Sequence, residues 1–170
     1  MTDQKRVGVA ILTISDSRDE TTDTSGAYLA GAVERDEHNL AGRMIVPDDI
    51  EQIRAAVLEW AADPAIDVII STGGTGLTGR DVTPEAVLPL FDKVIDGFAP
   101  VWHRLSYDSI GLSTLQSRAC AGMIGQTFMF CLPGSNGAVR DGWTKVIGPQ
   151  LDRRTKPCNF VEIMPRLGEK

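Results

Sequence analysis

Asp67-Val-Ile-Ile-Ser-Thr-Gly-Gly-Thr-Gly-Leu-Thr-Gly-Arg-Asp-Val-Thr-Pro-Glu85 is the stretch around which the chain is organised. Its apolar run, Val68 to Ile70, reads as a buried strand that empties into a loop carrying Gly73, Gly74, Gly76 and Gly79. Glycines at that density let the backbone approach a ligand and turn its N–H groups inward. Thr83-Pro84-Glu85 then starts a helix, with proline at the first helical position. Strand, glycine loop and helix start are the local parts of an anion site. Asp81 sets this one apart. A carboxylate beside a phosphate-attracting loop makes chemical sense if a divalent cation lies between the two.

Two well-known glycine patterns fail here. Residues 74 to 79 are a literal GxGxxG, but the helix start waits until Thr83 and no acidic residue ends a second strand about 20 residues on. As a Walker loop, Gly74-x4-Gly79 is followed by Arg80 and Asp81, where a lysine and a hydroxyl are required.

Working outward, Val7 to Ile14 is a second continuous apolar run, a central strand covered on both faces, ending in Ser15-Asp16-Ser17-Arg18. Asp19 to Asp23 reads as a mobile polar loop, and Asp23-Thr24-Ser25 caps a helix to about Glu37 that buries Tyr28, Leu29, Ala32 and Val33. Leu40 to Val46 is a further strand, ending at Pro47-Asp48-Asp49. Asp49 and Gln52 form a capping box for a helix from Ile50 to Ala62, with Ile53, Ala56, Val57 and Trp60 on one stripe. Asp48 reads equally well as a spare cap or a functional carboxylate. Short helices are expected over Pro84 to Phe91, Phe98 to Leu105 and Thr114 to Ala121, and Arg118 reads first as a surface cation. Thr127 to Leu132 is a fourth buried strand, followed by the loop Pro133-Gly-Ser-Asn-Gly137 and a helix from about Ala138 to Ile147. Leu151 to Lys156 is charged, and Cys158-Asn-Phe160 closes the fold against the core.

Strands alternating with helices predict an α/β fold with a mainly parallel sheet. The loops at Ser15-Asp16, Pro47-Asp48, Gly73 to Gly79 and Pro133 to Gly137 then share one sheet edge, where open α/β sheets place their ligands.

With 170 residues, 42% hydrophobic and 24% charged, the chain fits one ordinary globular domain over 1–170. A formal charge of −6 argues against nucleic-acid binding, so an anion site must be built locally. Cys120, Cys131 and Cys158 share no CxxC spacing and read as reduced thiols of a cytoplasmic protein. Met1-Thr-Asp-Gln-Lys-Arg6 runs straight into a strand without a signal peptide, and no apolar run approaches the roughly 20 residues of a membrane span.

Leu12-Thr-Ile-Ser-Asp16, Pro47-Asp48, Gly73-Gly-Thr-Gly76, Arg80-Asp-Val-Thr-Pro-Glu85 and Pro133-Gly-Ser135 together resemble the MoaB/MogA family of molybdenum-cofactor biosynthesis. The likeness runs from about Val7 to Phe160. Ser113-Thr-Leu-Gln-Ser-Arg118 and Pro149 to Phe160 are most similar to the MoaB branch. The resemblance implies a three-layer α/β sandwich that assembles as a trimer or hexamer and binds molybdopterin. In active members it implies adenylylation of molybdopterin by Mg-ATP with release of pyrophosphate, the product passing to a partner of the MoeA type. Asp48 and Asp81 match positions tied to catalysis and would hold the metal. Gly73, Gly74, Thr75 and Gly76 would cradle phosphate. Ser15, Asp16, Pro133, Gly134 and Ser135 would contact pterin or nucleotide, and Arg118 would neutralise charge. The alternative is a non-catalytic molybdopterin-binding or scaffold protein that hands the pterin on.

Overall fold

The computed structural model describes residues 6–169. The segment Met1–Lys5, read above as a leaderless lead-in, lies outside them. Six strands, β1 (Gly8–Ile14), β2 (Asn39–Val46), β3 (Val68–Thr72), β4 (Lys93–Val94), β5 (Cys120–Ile124) and β6 (Thr127–Leu132), form one sheet in the order β2-β1-β3-β6-β5-β4. β2, β1, β3 and β6 are parallel, as expected. β5 and β4 extend the sheet through antiparallel pairs.

Period-2 alternation explains the layers. Val9, Ile11, Val68, Ile70, Phe128 and Phe130 bury one face of the sheet. Ala10, Leu12, Ile14, Ile69, Met129 and Cys131 bury the other. Helices α1 (Thr24–Arg35), α4 (Phe98–Ile110) and α5 (Asn136–Gly142) cover the first face, supplying Leu29, Val33, Trp102 and Val139. Helices α2 (Ile50–Ala61) and α3 (Thr83–Val87) cover the second, with Ile53, Val57, Trp60 and Val87. The result is a three-layer sandwich.

Local signals are realised at both long helices. Asp23 caps α1, accepting from Gly26 N at 2.9 Å, and Asp49 caps α2, accepting from Gln52 N at 2.9 Å. Phe160 stacks on Phe128, with centroids 4.8 Å apart, and Asn159 is buried, so this end of Cys158-Asn-Phe160 closes the core, while Cys158 itself is exposed.

Three expectations are corrected. Thr114 to Ala121 is no helix: a 3-10 stretch, Gly111–Gln116, gives way to β5. Cys120, Ala121 and Gly122, which open β5, are small and lack β-branching, so the strand carried little local signal. The helix from Asn136 leaves α geometry at Gly142 and continues as a π turn, Trp143–Ile147. The polar loop before α1 is a hydrogen-bonded turn, in which the Asp19 carboxylate accepts from Thr21 N and Thr22 N at 2.9 and 3.0 Å.

Parallel register puts the strand ends level. Thr13 lies beside Thr72, and Thr72 beside Leu132. The loops after β1, β3 and β6 therefore meet at one edge.

Candidate functional site

Gly73 and Gly74 follow β3 with φ of +106° and +65°, a region costly for side-chain-bearing residues. Gly73 N donates to Leu132 O at 3.0 Å, Thr83 Oγ1 donates to Gly73 O at 2.9 Å, and Thr83 N donates to Gly74 O at 3.0 Å. The loop is thus folded back onto the start of α3. The N–H groups of Gly74 and Thr75 find no acceptor among the described residues.

Arg118 fastens the loop from behind. Its backbone N–H donates to Thr75 O at 2.8 Å, Nε to Gly76 O at 2.8 Å and Nη2 to Asp81 O at 2.9 Å, while Nη1 pairs with Glu85. A planar fork with fixed donors suits this set of main-chain acceptors. The guanidinium is therefore directed at the loop's own framework.

Asp81 lies under Gly76, where an added Cβ would stand 2.6 Å from Asp81 Oδ2. Thr78 Oγ1 and Thr78 N donate to that oxygen at 2.6 and 2.9 Å. The Thr78 hydroxyl, followed by backbone N–H groups, holds the Asp81 carboxyl below the usual aspartate value. Asp48 lies against the neighbouring glycine, its Oδ1 3.0 Å from where a Gly74 Cβ would be. Burial, then the nearby Asp16 charge, push its pKa up. Asp16 is bound bidentately by Arg80, with Nε and Nη2 each at 2.8 Å, and accepts from Asp48 N at 3.1 Å. The Arg80 hydrogen bond keeps Asp16 low.

Neither Asp48 nor Asp81 makes an ion pair among the described residues, and no cluster of three or more His, Cys, Asp or Glu there could hold a metal by itself. Magnesium asks for less. It takes one or two protein carboxylates plus phosphate oxygens and water, so this donor set fits a cation that arrives with a polyphosphate.

The loop after β6 is tied to α1. Gly134 O accepts from Arg18 Nη2 at 3.0 Å and Ser25 Oγ at 3.1 Å, and Pro133 O accepts from Thr72 Oγ1 at 3.2 Å. Ser135 caps α5, accepting from Ala138 N at 3.1 Å. Ser15 Oγ accepts from the N–H groups of Ser17 and Arg18, each at 3.2 Å, which shapes the turn after β1.

These loops frame a cavity of about 450 Å³. Gly73, Gly74, Thr75, Gly76 and Asp81 line one side, with Pro133, Gly134 and Ser135 beside them. Asp48, Ser15, Asp16 and Arg118 are not part of the lining: Asp48 lies against Gly74, Asp16 is held by Arg80, Ser15 shapes the turn after β1, and Arg118 braces the glycine loop. The rest of the lining was not foreseen. Trp102, Ser106 and Ser109 on α4, Ser113 and Ser117 after it, and Asp141 on α5 complete the cavity. Its signal was the spacing of Trp102, Ser106 and Ser109, which places polar groups along one helical face.

Comparison with known proteins finds the same fold and family. The model of a family described as "probable molybdopterin binding domain" matches residues 10–153. Molybdenum cofactor biosynthesis protein B of Escherichia coli K12 is 49% identical over 152 residues, covering 89% of each chain. A crystal structure of a molybdenum cofactor biosynthesis protein B superimposes with TM-score 0.88 at 40% identity, over 98% of this chain and 99% of the other. The tungsten cofactor synthesizing protein MoaB from Pyrococcus furiosus superimposes with TM-score 0.73 at 37% identity, over 81% of this chain and 88% of that one.

Proposed function

Because the chain belongs to the molybdopterin-binding family of molybdenum cofactor biosynthesis proteins, in its MoaB/MogA group, we propose that it binds molybdopterin and adenylylates it with Mg-ATP. The observation that carries the reading is the pair of carboxylates without an ion pair, Asp48 and Asp81, held against Gly74 and Gly76 of one loop in which the N–H groups of Gly74 and Thr75 are free for phosphate oxygens.

In the reaction an oxygen of the molybdopterin phosphate forms a bond to the α-phosphorus of ATP, and the bond from that phosphorus to the pyrophosphate oxygen breaks. The nucleophile is already anionic, so no general base is needed. The difficulty lies in aligning two polyanions. Gly74 and Thr75 offer N–H groups to phosphate. Asp48 and Asp81 would hold magnesium, which when bound neutralises charge between the phosphates. Arg80 keeps Asp16 from adding its charge freely to the pair. Arg118 acts through the loop it braces.

The test is pyrophosphate release from purified protein given molybdopterin, ATP and magnesium, with Asp81→Asn alongside. Release by the wild type and loss of at least a hundredfold in a variant of unchanged melting temperature is the expected result. Equal turnover in the variant would remove the assigned role.

One observation favours the non-catalytic alternative: among the described residues no Lys or Arg lines the cavity, so none of their side-chain cations there meets a departing pyrophosphate. A molybdopterin carrier would bind the pterin and release no pyrophosphate in the same assay. Under either reading we place the protein in a homotrimer or hexamer that passes its ligand to a MoeA-type partner. The exposed apolar side chains of Tyr107, Ile110, Leu112 and Leu115 support assembly.

A further inference from the structure

Ser71, Cys131 and Cys120 stand in one row across three neighbouring strands. The sheet register sets Ser71 of β3 beside Cys131 of β6, and Cys131 directly opposite Cys120 of antiparallel β5. Both cysteines pack on the α2 and α3 side of the sheet, and both thiols are free. Opposed residues of an antiparallel pair have Cβ atoms about 4.5–5.5 Å apart, close to the roughly 3.5–4.5 Å that a disulfide spans.

The two sulfurs are not equivalent. Cys131 is 0% exposed, whereas Cys120 is only half-buried. The Cys131 thiol holds Cys120 below the ordinary thiol value, helped by the Arg118 guanidinium and opposed by burial and the Glu85 charge. The proton stays on Cys131, which Cys120 and burial push well up. A partly exposed thiolate in front of a buried, protonated thiol is the arrangement of an attacking and a resolving cysteine.

Ser71 adds an independent sign. Its Oγ is buried and has no hydrogen-bond partner among the described residues, a rare state for a hydroxyl. It lies near enough to Cys131 to favour the ionised form of that sulfur. A donor is thus held beside the resolving thiol at the point where its proton must leave.

We propose that Cys120 and Cys131 form a peroxide-oxidisable dithiol, in which Ser71 positions the resolving sulfur. The Cys120 thiolate attacks a peroxide oxygen: an S–O bond forms, the O–O bond breaks, and the departing hydroxide takes a proton to become water. The Cys131 sulfur then attacks the sulfenic sulfur. An S–S bond forms, the S–O bond breaks, and the hydroxyl leaves with the Cys131 proton as a second water. The two sulfurs together give up the two electrons that reduce the peroxide. The bridge closes two residues from Arg118, in the strand that carries the brace of the glycine loop. It does not depend on the proposed adenylylation.

The test treats the full chain with a few equivalents of hydrogen peroxide and counts free thiols after denaturation. The count should fall from three to one per chain as two thiols join. Peptide mapping should place the bridge between Cys120 and Cys131 with Cys158 still reduced, and dithiothreitol should restore all three thiols. Cys131→Ser should stop at a sulfenic acid on Cys120, captured by dimedone. Ser71→Ala removes only an unpaired hydroxyl, so its melting temperature should hold or rise, while bridge closure slows about tenfold, the scale of a hydrogen bond to a charged group. A count that stays at three, or a loss confined to Cys158, overturns the inference on the wild-type protein without recourse to any variant. Closure at the wild-type rate in Ser71→Ala overturns the role given to Ser71.

Discussion

Asp48 and Asp81 are the same side chain in opposite surroundings. Hydroxyl and amide donors surround Asp81 and favour its ionised form, whereas Asp48 is desolvated and faces other carboxylates. A carboxyl whose pKa is raised by folding binds its proton more tightly in the native state. The ionised form then opposes folding once the pH exceeds the ordinary aspartate value of 3.8. Asp48→Asn is therefore expected to hold or raise the melting temperature at neutral pH while pyrophosphate release falls. Thermal denaturation and turnover measured on one preparation decide it. In the wild type, activity should decline on the acid side through the raised Asp48 pKa, at a pH above 3.8. A pH profile of kcat/KM would locate that limb. Gly74 sits beside Asp48 at φ +65°, where an added Cβ would collide with Thr83 Oγ1. Gly74→Ala should cost about 1–3 kcal/mol in urea denaturation, together with phosphate affinity.

At the scale of elements, each loop of the site is fastened to a packed helix or strand by polar contacts beneath it. α1 does this through Asp23, which is 2% exposed. Its carboxylate caps the helix, accepts from Thr13 Oγ1 at 2.8 Å and pairs with Arg43 Nη2 at 3.0 Å. Arg18, which holds Gly134 O, lies 3.8 Å from the same group. Removing one partner of a buried pair leaves the other uncompensated, so Asp23→Ala should lose about 3–5 kcal/mol in chemical denaturation. A loss under about 1 kcal/mol would mean that Arg43 finds water instead. The cap itself was legible, since Asp-Thr-Ser before an apolar-periodic run is a helix start. The burial was not, because Thr13 and Arg43 reach Asp23 only once β1 and β2 lie side by side.

At the scale of the molecule, four of the exposed apolar side chains are grouped at the end of α4 and the turn after it. Leu112 and Leu115, 71% and 70% exposed, follow α4, which itself exposes Tyr107 and Ile110. An apolar segment of this kind marks a contact surface. If copies of the chain meet there, Leu112→Asp with Leu115→Asp should yield monomers in sedimentation velocity while the wild type sediments as a trimer or larger. A monomeric wild type would refute that assembly. Among the described residues no helix is long and apolar enough to cross a membrane.

The sequence by itself determined the parallel half of the sheet, both long helices with their caps, and the glycine loop with Asp81. Each rests on interactions within a few residues: a continuous apolar run, a capping side chain, a glycine where φ must be positive. Tertiary structure alone decided the rest. β5 is a strand because β6 pairs with it, not because Cys120–Ile124 favours extended backbone. Arg118 became a brace when β5 carried it beneath the glycine loop, and Trp102 became a cavity wall when α4 packed across from Gly73. Such roles depend on which neighbours the packing supplies. No spacing along the chain encodes them, whereas the pairing of Asp48 with Asp81 was legible beforehand, because parallel strands bring their ends to one edge.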